Sequence, residues 1–119
     1  MIRASCHCGL VVIEADRRPT VVTSCNCSIC RRYAARWAYH TRKTVRIVQG
    51  AERVRAYAWG DRMIEFYHCE TCGSTTHYEG VEKNPDSRFA INSNCFAAAD
   101  LGDVRERHFD GAESWKYLD

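Results

Sequence analysis

The chain has 119 residues, 45% of them hydrophobic and 27% charged, and its 17 basic and 15 acidic side chains leave a net charge of +2. That length suits one domain, 1–119, with a modest core, in the size range where a bound metal adds useful stability. The near-neutral balance lacks the electrostatic footprint of a nucleic-acid binder, and no apolar run approaches the roughly 20 residues of a membrane-spanning helix.

Met1-Ile2-Arg3-Ala4-Ser5 holds no apolar leader and runs directly into Cys6-His7-Cys8, so a cytoplasmic protein is expected rather than a secreted disulfide scaffold. Strands are expected at 10–14 and 20–23, from their β-branched content. Cys25-Asn26-Cys27-Ser28-Ile29-Cys30 follows, and 31–36 could form a single helical turn. Further strands are expected at 37–40, 45–48, 54–58 and 63–68, punctuated by turns at Gly50 and Gly60-Asp61. Beyond Cys69-Glu70-Thr71-Cys72, the most loop-like segment is 82–87, which could supply a lid or rim, and 97–101 is a second short helical candidate. No long helix is needed, and the pattern predicts a mainly β domain of two small sheets clamped where distant cysteines share a metal.

Seven of the eight cysteines fall into those three tight clusters. Cysteines two apart would need a strained ring to form a disulfide, whereas thiolates at such spacings coordinate zinc without strain. One bent loop can offer Cys25, Cys27 and Cys30 to a single ion at about 2.3 Å. Cys6 and Cys8 with Cys69 and Cys72 make a four-ligand set that closes a loop of roughly 60 residues. Four ligands close a structural site and three leave a position open for chemistry, so two zinc ions are expected. Spacing alone leaves other partnerships open, including closure of the three-cysteine site by Cys95, His7, His40, His68, His77 or His108. Seven thiolates and two zinc ions would take the net charge to about −1. Arg31-Arg32 with Arg36, and Arg42-Lys43 with Arg46, are local basic clusters that could steer a small anion.

Cys6-His7-Cys8-Gly9, Cys25-Asn26-Cys27-Ser28-Ile29-Cys30-Arg31-Arg32 and Cys69-Glu70-Thr71-Cys72-Gly73-Ser74, in this order, resemble the glutathione-dependent formaldehyde-activating enzymes, also called the centromere-protein-V-like family. The segment from Arg107 to Trp115 looks like the ending common in bacterial members. The resemblance implies a two-sheet β-tent fold, with a structural zinc on Cys6, Cys8, Cys69 and Cys72 and a catalytic zinc on Cys25, Cys27 and Cys30. It implies a carbon–sulfur lyase that joins formaldehyde to the thiol of glutathione. Two positions depart from the family's pattern. Asn26 stands where many members carry histidine, and asparagine hydrogen-bonds but relays no proton near neutral pH. Ala4 replaces a frequent glycine.

For that reaction Arg31 and Arg32 would attract the carboxylates of glutathione, with proximity supplying most of the acceleration. Two other readings are a zinc enzyme acting on another small thiol adduct and a non-catalytic zinc-stabilised binding module. Neither nucleic acid nor membrane is an expected partner, and an exposed sheet edge could support a homodimer. Cys95 is expected to be an ordinary buried or half-buried thiol, His68 a neutral structural group, and Trp37, Tyr39, Phe66 and Tyr67 core and sheet residues rather than a substrate box.

Overall fold

The computed structural model describes residues 1–119. In chain order the elements are β1 (Ile2–Ser5), β2 (Val12–Ala15), β3 (Val21–Cys25), α1 (Ser28–Tyr33), β4 (Arg36–Thr41), β5 (Val45–Gln49), β6 (Val54–Tyr57), β7 (Ile64–Cys69), β8 (Thr75–Gly80), β9 (Arg88–Asn92), α2 (Ala98–Leu101) and β10 (Arg105–Phe109). The architecture is mainly β, as expected, with a three-stranded sheet ordered β1-β2-β5 and a seven-stranded sheet ordered β10-β3-β4-β9-β8-β7-β6. No helix is long and apolar enough to cross a membrane.

Period-2 alternation decides what each strand buries. On β4, Ala38 faces the main core, where Ile13 and Val45 of the small sheet meet Val22, Phe89 and Ile91 of the large one. Trp37, next along the strand, points to the opposite face and packs with Phe66, Tyr78 and Ala90 in a second cluster beneath Cys30. The large sheet is thus buried on both faces near its centre, and the second face carries the three-cysteine group.

The helix expected at 31–36 lies instead at Ser28–Tyr33, and Arg36 belongs to β4. The shift has a local cause: Cys27 is the N-cap, its sulfur accepting the Cys30 N–H, while Ala34 ends the helix in the left-handed region with φ of 53°. The 82–87 segment forms no lid. It folds back on the β4–β5 turn, with the Arg42 and Lys43 N–H groups donating to the carbonyls of Ser87 and Pro85 at 3.0 and 3.1 Å.

Strands β1, β8, β9 and β10 escape the pattern reading. β8 is the instructive case, because Thr76, His77 and Glu79 are all buried. Thr76 Oγ1 lies 2.8 Å from His77 Nδ1, and Arg42 pairs with the Glu79 carboxylate, so most of these polar groups find partners inside a central strand, His77 Nε2 being the exception. β10 runs parallel to β3 and sets Phe109 opposite Cys25, so residues 110–119 leave the sheet beside the three-cysteine loop.

Candidate functional site

The four-cysteine group joins the two sheets. Cys6 and Cys8 follow β1 of the small sheet, and Cys69 ends β7 of the large one. Both cysteine pairs sit on turns closed by a left-handed glycine: the Gly9 N–H donates to the Cys6 carbonyl at 3.1 Å and the Gly73 N–H to the Cys69 carbonyl at 2.9 Å. All four sulfurs lie within 4.8 Å of one another, with Cys6 to Cys8 at 3.6 Å and Cys8 to Cys69 at 3.8 Å. A tetrahedral ion with bonds of about 2.3 Å to sulfur requires separations of about 3.8 Å, so the group fits zinc. The Val11 N–H donates to Cys6 Sγ at 3.2 Å and the Thr71 N–H to Cys69 Sγ at 3.4 Å. The Ser74 hydroxyl and N–H lower the Cys72 thiol to about 5, which favours the thiolate form a metal ligand needs.

Cys25, Cys27 and Cys30 form the second group, at the end of β3, the N-cap of α1 and its first turns. Their sulfurs also lie within 4.8 Å of one another, and no fourth Cys, His, Asp or Glu ligand atom joins them. Cys95 is occupied elsewhere, its thiol donating to the Thr75 carbonyl at 3.6 Å, and burial pushes it up to about 11. His77 is sealed between the rings of Tyr67 and Phe89 at 4.6 and 4.7 Å, and His108 Nδ1 lies 2.8 Å from Asp119 Oδ2. Burial opposes ionisation of Cys27, but the Cys30 N–H and neighbouring donors outweigh it and lower this thiol. Burial raises Cys25 and Cys30, although the Trp37 indole N–H, 3.4 Å from Cys30 Sγ, works the other way.

The segment after β10 straps this group. Gly111 packs so closely that a Cβ there would fall 2.6 Å from Cys25 Sγ. Asn26 fastens it: its Nδ2 donates to Asp110 Oδ1 and its Oδ1 accepts the Ala112 N–H, both at 2.9 Å. The first of these bonds is the main cause holding the Asp110 carboxyl at about 2. The Asn26 amide therefore serves as a two-way clamp. Farther along, Tyr117 packs edge-on to Phe109 and its hydroxyl lies 2.9 Å from Thr23 Oγ1.

Two openings meet at the cysteines. One is a polar groove of about 670 Å³ where Arg31, Arg36 and His108 adjoin Cys25 and Cys30. The other is a largely hydrophobic cavity of about 620 Å³ that reaches all three cysteines. Arg31 thus stands beside the cysteines as expected, whereas Arg32 lines neither opening and donates to the Ser28 carbonyl at 2.7 Å. Trp37 and Phe66 are buried as expected of core residues, but with Tyr39 they also form the cavity wall. Sequence reasoning missed Trp59, Met63 and Ile64 around the Gly60-Asp61 turn, Arg88 on β9, and Gly111, Trp115 and Tyr117 of the strap. The only signal for them was the turn dipeptide beside apolar residues and a glycine among aromatics near the C-terminus.

The family model described as glutathione-dependent formaldehyde-activating enzyme matches residues 1–109 and stops where the strap begins. Among solved structures, a crystal structure of a Rhodobacter sphaeroides protein, a Northeast Structural Genomics target, aligns with a TM-score of 0.72 and 33% identity. The alignment covers 88% of this chain and 99% of that one. With both cysteine groups assembled on the matched fold, the chain belongs to the family of glutathione-dependent formaldehyde-activating enzymes.

Proposed function

We propose that the protein is a zinc-dependent carbon–sulfur lyase that joins formaldehyde, or a related small electrophile, to glutathione at Cys25, Cys27 and Cys30. One observation carries this reading: three sulfurs are gathered at the meeting point of two openings with no fourth protein ligand beside them. Zinc held by three thiolates supplies an electrophilic coordination position that polarises a substrate oxygen or sulfur. Cys6, Cys8, Cys69 and Cys72 hold the second, structural zinc.

The chain's own residues do the positioning. Arg31 places a guanidinium in the polar groove beside Cys25 and Cys30, where it receives a glutathione carboxylate, with Arg36 as the second guanidinium of that groove, while Arg32 is held on the Ser28 carbonyl outside it. The Trp37 N–H fixes the orientation of Cys30, while Gly111 and the Asn26 clamp shield Cys25. In the addition the thiol sulfur bonds to the carbonyl carbon as the carbonyl π bond opens, and the thiol proton passes to the oxygen. This addition is intrinsically facile, so placement supplies most of the acceleration. The cytoplasm, where glutathione keeps thiols reduced, is the compartment that suits seven ligand cysteines.

The test is zinc content per chain beside glutathione–formaldehyde adduct formation followed by NMR. Wild type should hold two zinc ions, and a Cys25→Ala/Cys27→Ala/Cys30→Ala variant should hold one, keep its fold and lose adduct formation. Unchanged adduct formation in that variant would overturn the reading.

A further inference from the structure

The cavity beside the cysteines is far larger than formaldehyde needs. Its volume is about 620 Å³, whereas a water molecule, close to formaldehyde in size, takes about 30 Å³. Most of the lining is hydrophobic. Glutathione is a polar tripeptide with charges at both ends, and such walls would leave its donors and acceptors unpaired. The wall is also continuous. The Trp37 N–H touches Cys30 Sγ at 3.4 Å, the Trp37 ring meets Tyr78 edge-on at 4.8 Å, and the Tyr78 hydroxyl lies 3.5 Å from Arg88 Nη1. One aromatic surface therefore runs from the cysteines to a cation.

That cation has no carboxylate partner. The Arg88 guanidinium lies over the Tyr39 ring, 4.2 Å from its centroid, and its titratable neighbours are the tyrosines Tyr78, Tyr39 and Tyr117, with no carboxylate among them. By contrast Arg36 on β4 pairs with Glu106, and Arg42 just beyond that strand pairs with Glu79. The acid that lines the cavity, Asp61, is engaged in its own turn, its Oδ1 accepting the Met63 N–H at 3.0 Å. An exposed, unpaired guanidinium held against aromatic faces is preorganised for an incoming anion.

We propose that the site acts on an electrophile with an aromatic or other apolar body and one anionic end, the body lying against the Trp37–Tyr78 wall and a carboxylate pairing with Arg88. This rests on reading the three-cysteine group as the reaction centre. An aldehyde of this class reacts with the same balance as formaldehyde: the sulfur–carbon bond forms, the carbonyl π bond opens, the thiol proton passes to oxygen, and nothing is oxidised.

All three tryptophans of the chain, Trp37, Trp59 and Trp115, line the cavity, so intrinsic fluorescence reports occupancy without turnover. The zinc-loaded full chain is titrated with 3-phenylpropionate, with the neutral 3-phenylpropanol and with S-methylglutathione. The carboxylate should bind roughly ten- to a hundredfold tighter than the alcohol, the range expected of a charge-assisted hydrogen bond. Arg88→Gln should remove that preference and Arg88→Lys should keep part of it. Equal affinities in wild type, no binding of the carboxylate, a preference that survives Arg88→Gln, or competitive displacement of the bound carboxylate by S-methylglutathione would each overturn the proposal. The wild-type comparison needs no variant to fold. Separately, adduct formation from glutathione with 4-carboxybenzaldehyde should exceed that with benzaldehyde in kcat/KM. Formaldehyde in the same assay tests the parent reaction independently of Arg88.

Discussion

Replacing Gly111 with alanine tests how the strap is held. The residue does not occupy a left-handed conformation, so its backbone accepts alanine, and the cost is purely steric. The new methyl would lie 2.6 Å from Cys25 Sγ and 3.2 Å from Cys27 Cβ. Overpacking of this kind costs about 1–3 kcal/mol. What fastens the strap locally is the Asn26 clamp, two hydrogen bonds of about 1 kcal/mol each. The clash and the clamp are therefore of similar size, and residues 110–115 should lift away locally instead of straining the sheet. Loss of global stability is then limited to the energy of docking, about 2 kcal/mol. Amide exchange at Ala112, Ser114 and Trp115, whose N–H groups are bonded within this region, should accelerate by roughly ten- to thirtyfold. Exchange in β8 and β9 should stay unchanged. Gly9→Ala is the control: nothing lies within 4 Å of its Cβ, but φ is +83°, so it should cost about 1–2 kcal/mol with no effect on the strap. Unaltered exchange at 112–115 in Gly111→Ala, or a global loss above about 4 kcal/mol, would refute the argument, since the second result means the strap cannot yield.

Cys69→Ala removes a fully buried sulfur of the four-cysteine group joining the sheets, so, if that group holds the proposed structural zinc, it should lower the melting temperature far more than Cys27→Ala, as thermal denaturation of the two variants with zinc present will show. Arg42→Ala strands the buried Glu79 carboxylate and should cost about 3 kcal/mol in urea unfolding, at the low end for a broken ion pair because the Arg42 side chain is 36% exposed. Adding Glu79→Gln should restore most of the loss. Burial lowers His77 from 6.5 to about 3, so between those values the unfolded chain binds a proton that the native chain refuses. Stability from this group is intact above pH 6.5 and declines by at most about 1.4 kcal/mol per pH unit as the pH falls toward 3. His77→Phe should flatten that part of the difference between variant and wild type, measured by urea unfolding across the range.

The cysteine groups were legible because their spacing is a covalent fact. Each cluster lies on one turn, and the tertiary fold had only to bring Cys6 and Cys8 to Cys69 and Cys72. The strands at 45–48 and 63–68 were equally visible in β-branched and aromatic content. β8 was hidden because Thr76, His77 and Glu79 read as solvent-facing until Arg42, 37 residues from Glu79, neutralises one of them. The cavity was harder still, since its wall draws on β4, the β6–β7 turn, β8, β9 and the strap, and no local pattern links Trp37 to Met63 or Arg88. Arg31 stood out through its place next to Cys30, whereas Arg88 had no neighbour in sequence to mark it.

Asp119 accepts the His108 N–H at 3.0 Å and lines the groove that Cys25, Cys30 and Arg31 share. Any peptide fused after this residue would emerge within that groove. A polyhistidine tag placed there would deliver imidazole groups to the neighbourhood of Cys25 and Cys30 and add metal-binding capacity of its own beside the sulfurs under test. An affinity handle before Met1, which is 81% exposed, avoids the groove and is the safer choice for metal analysis.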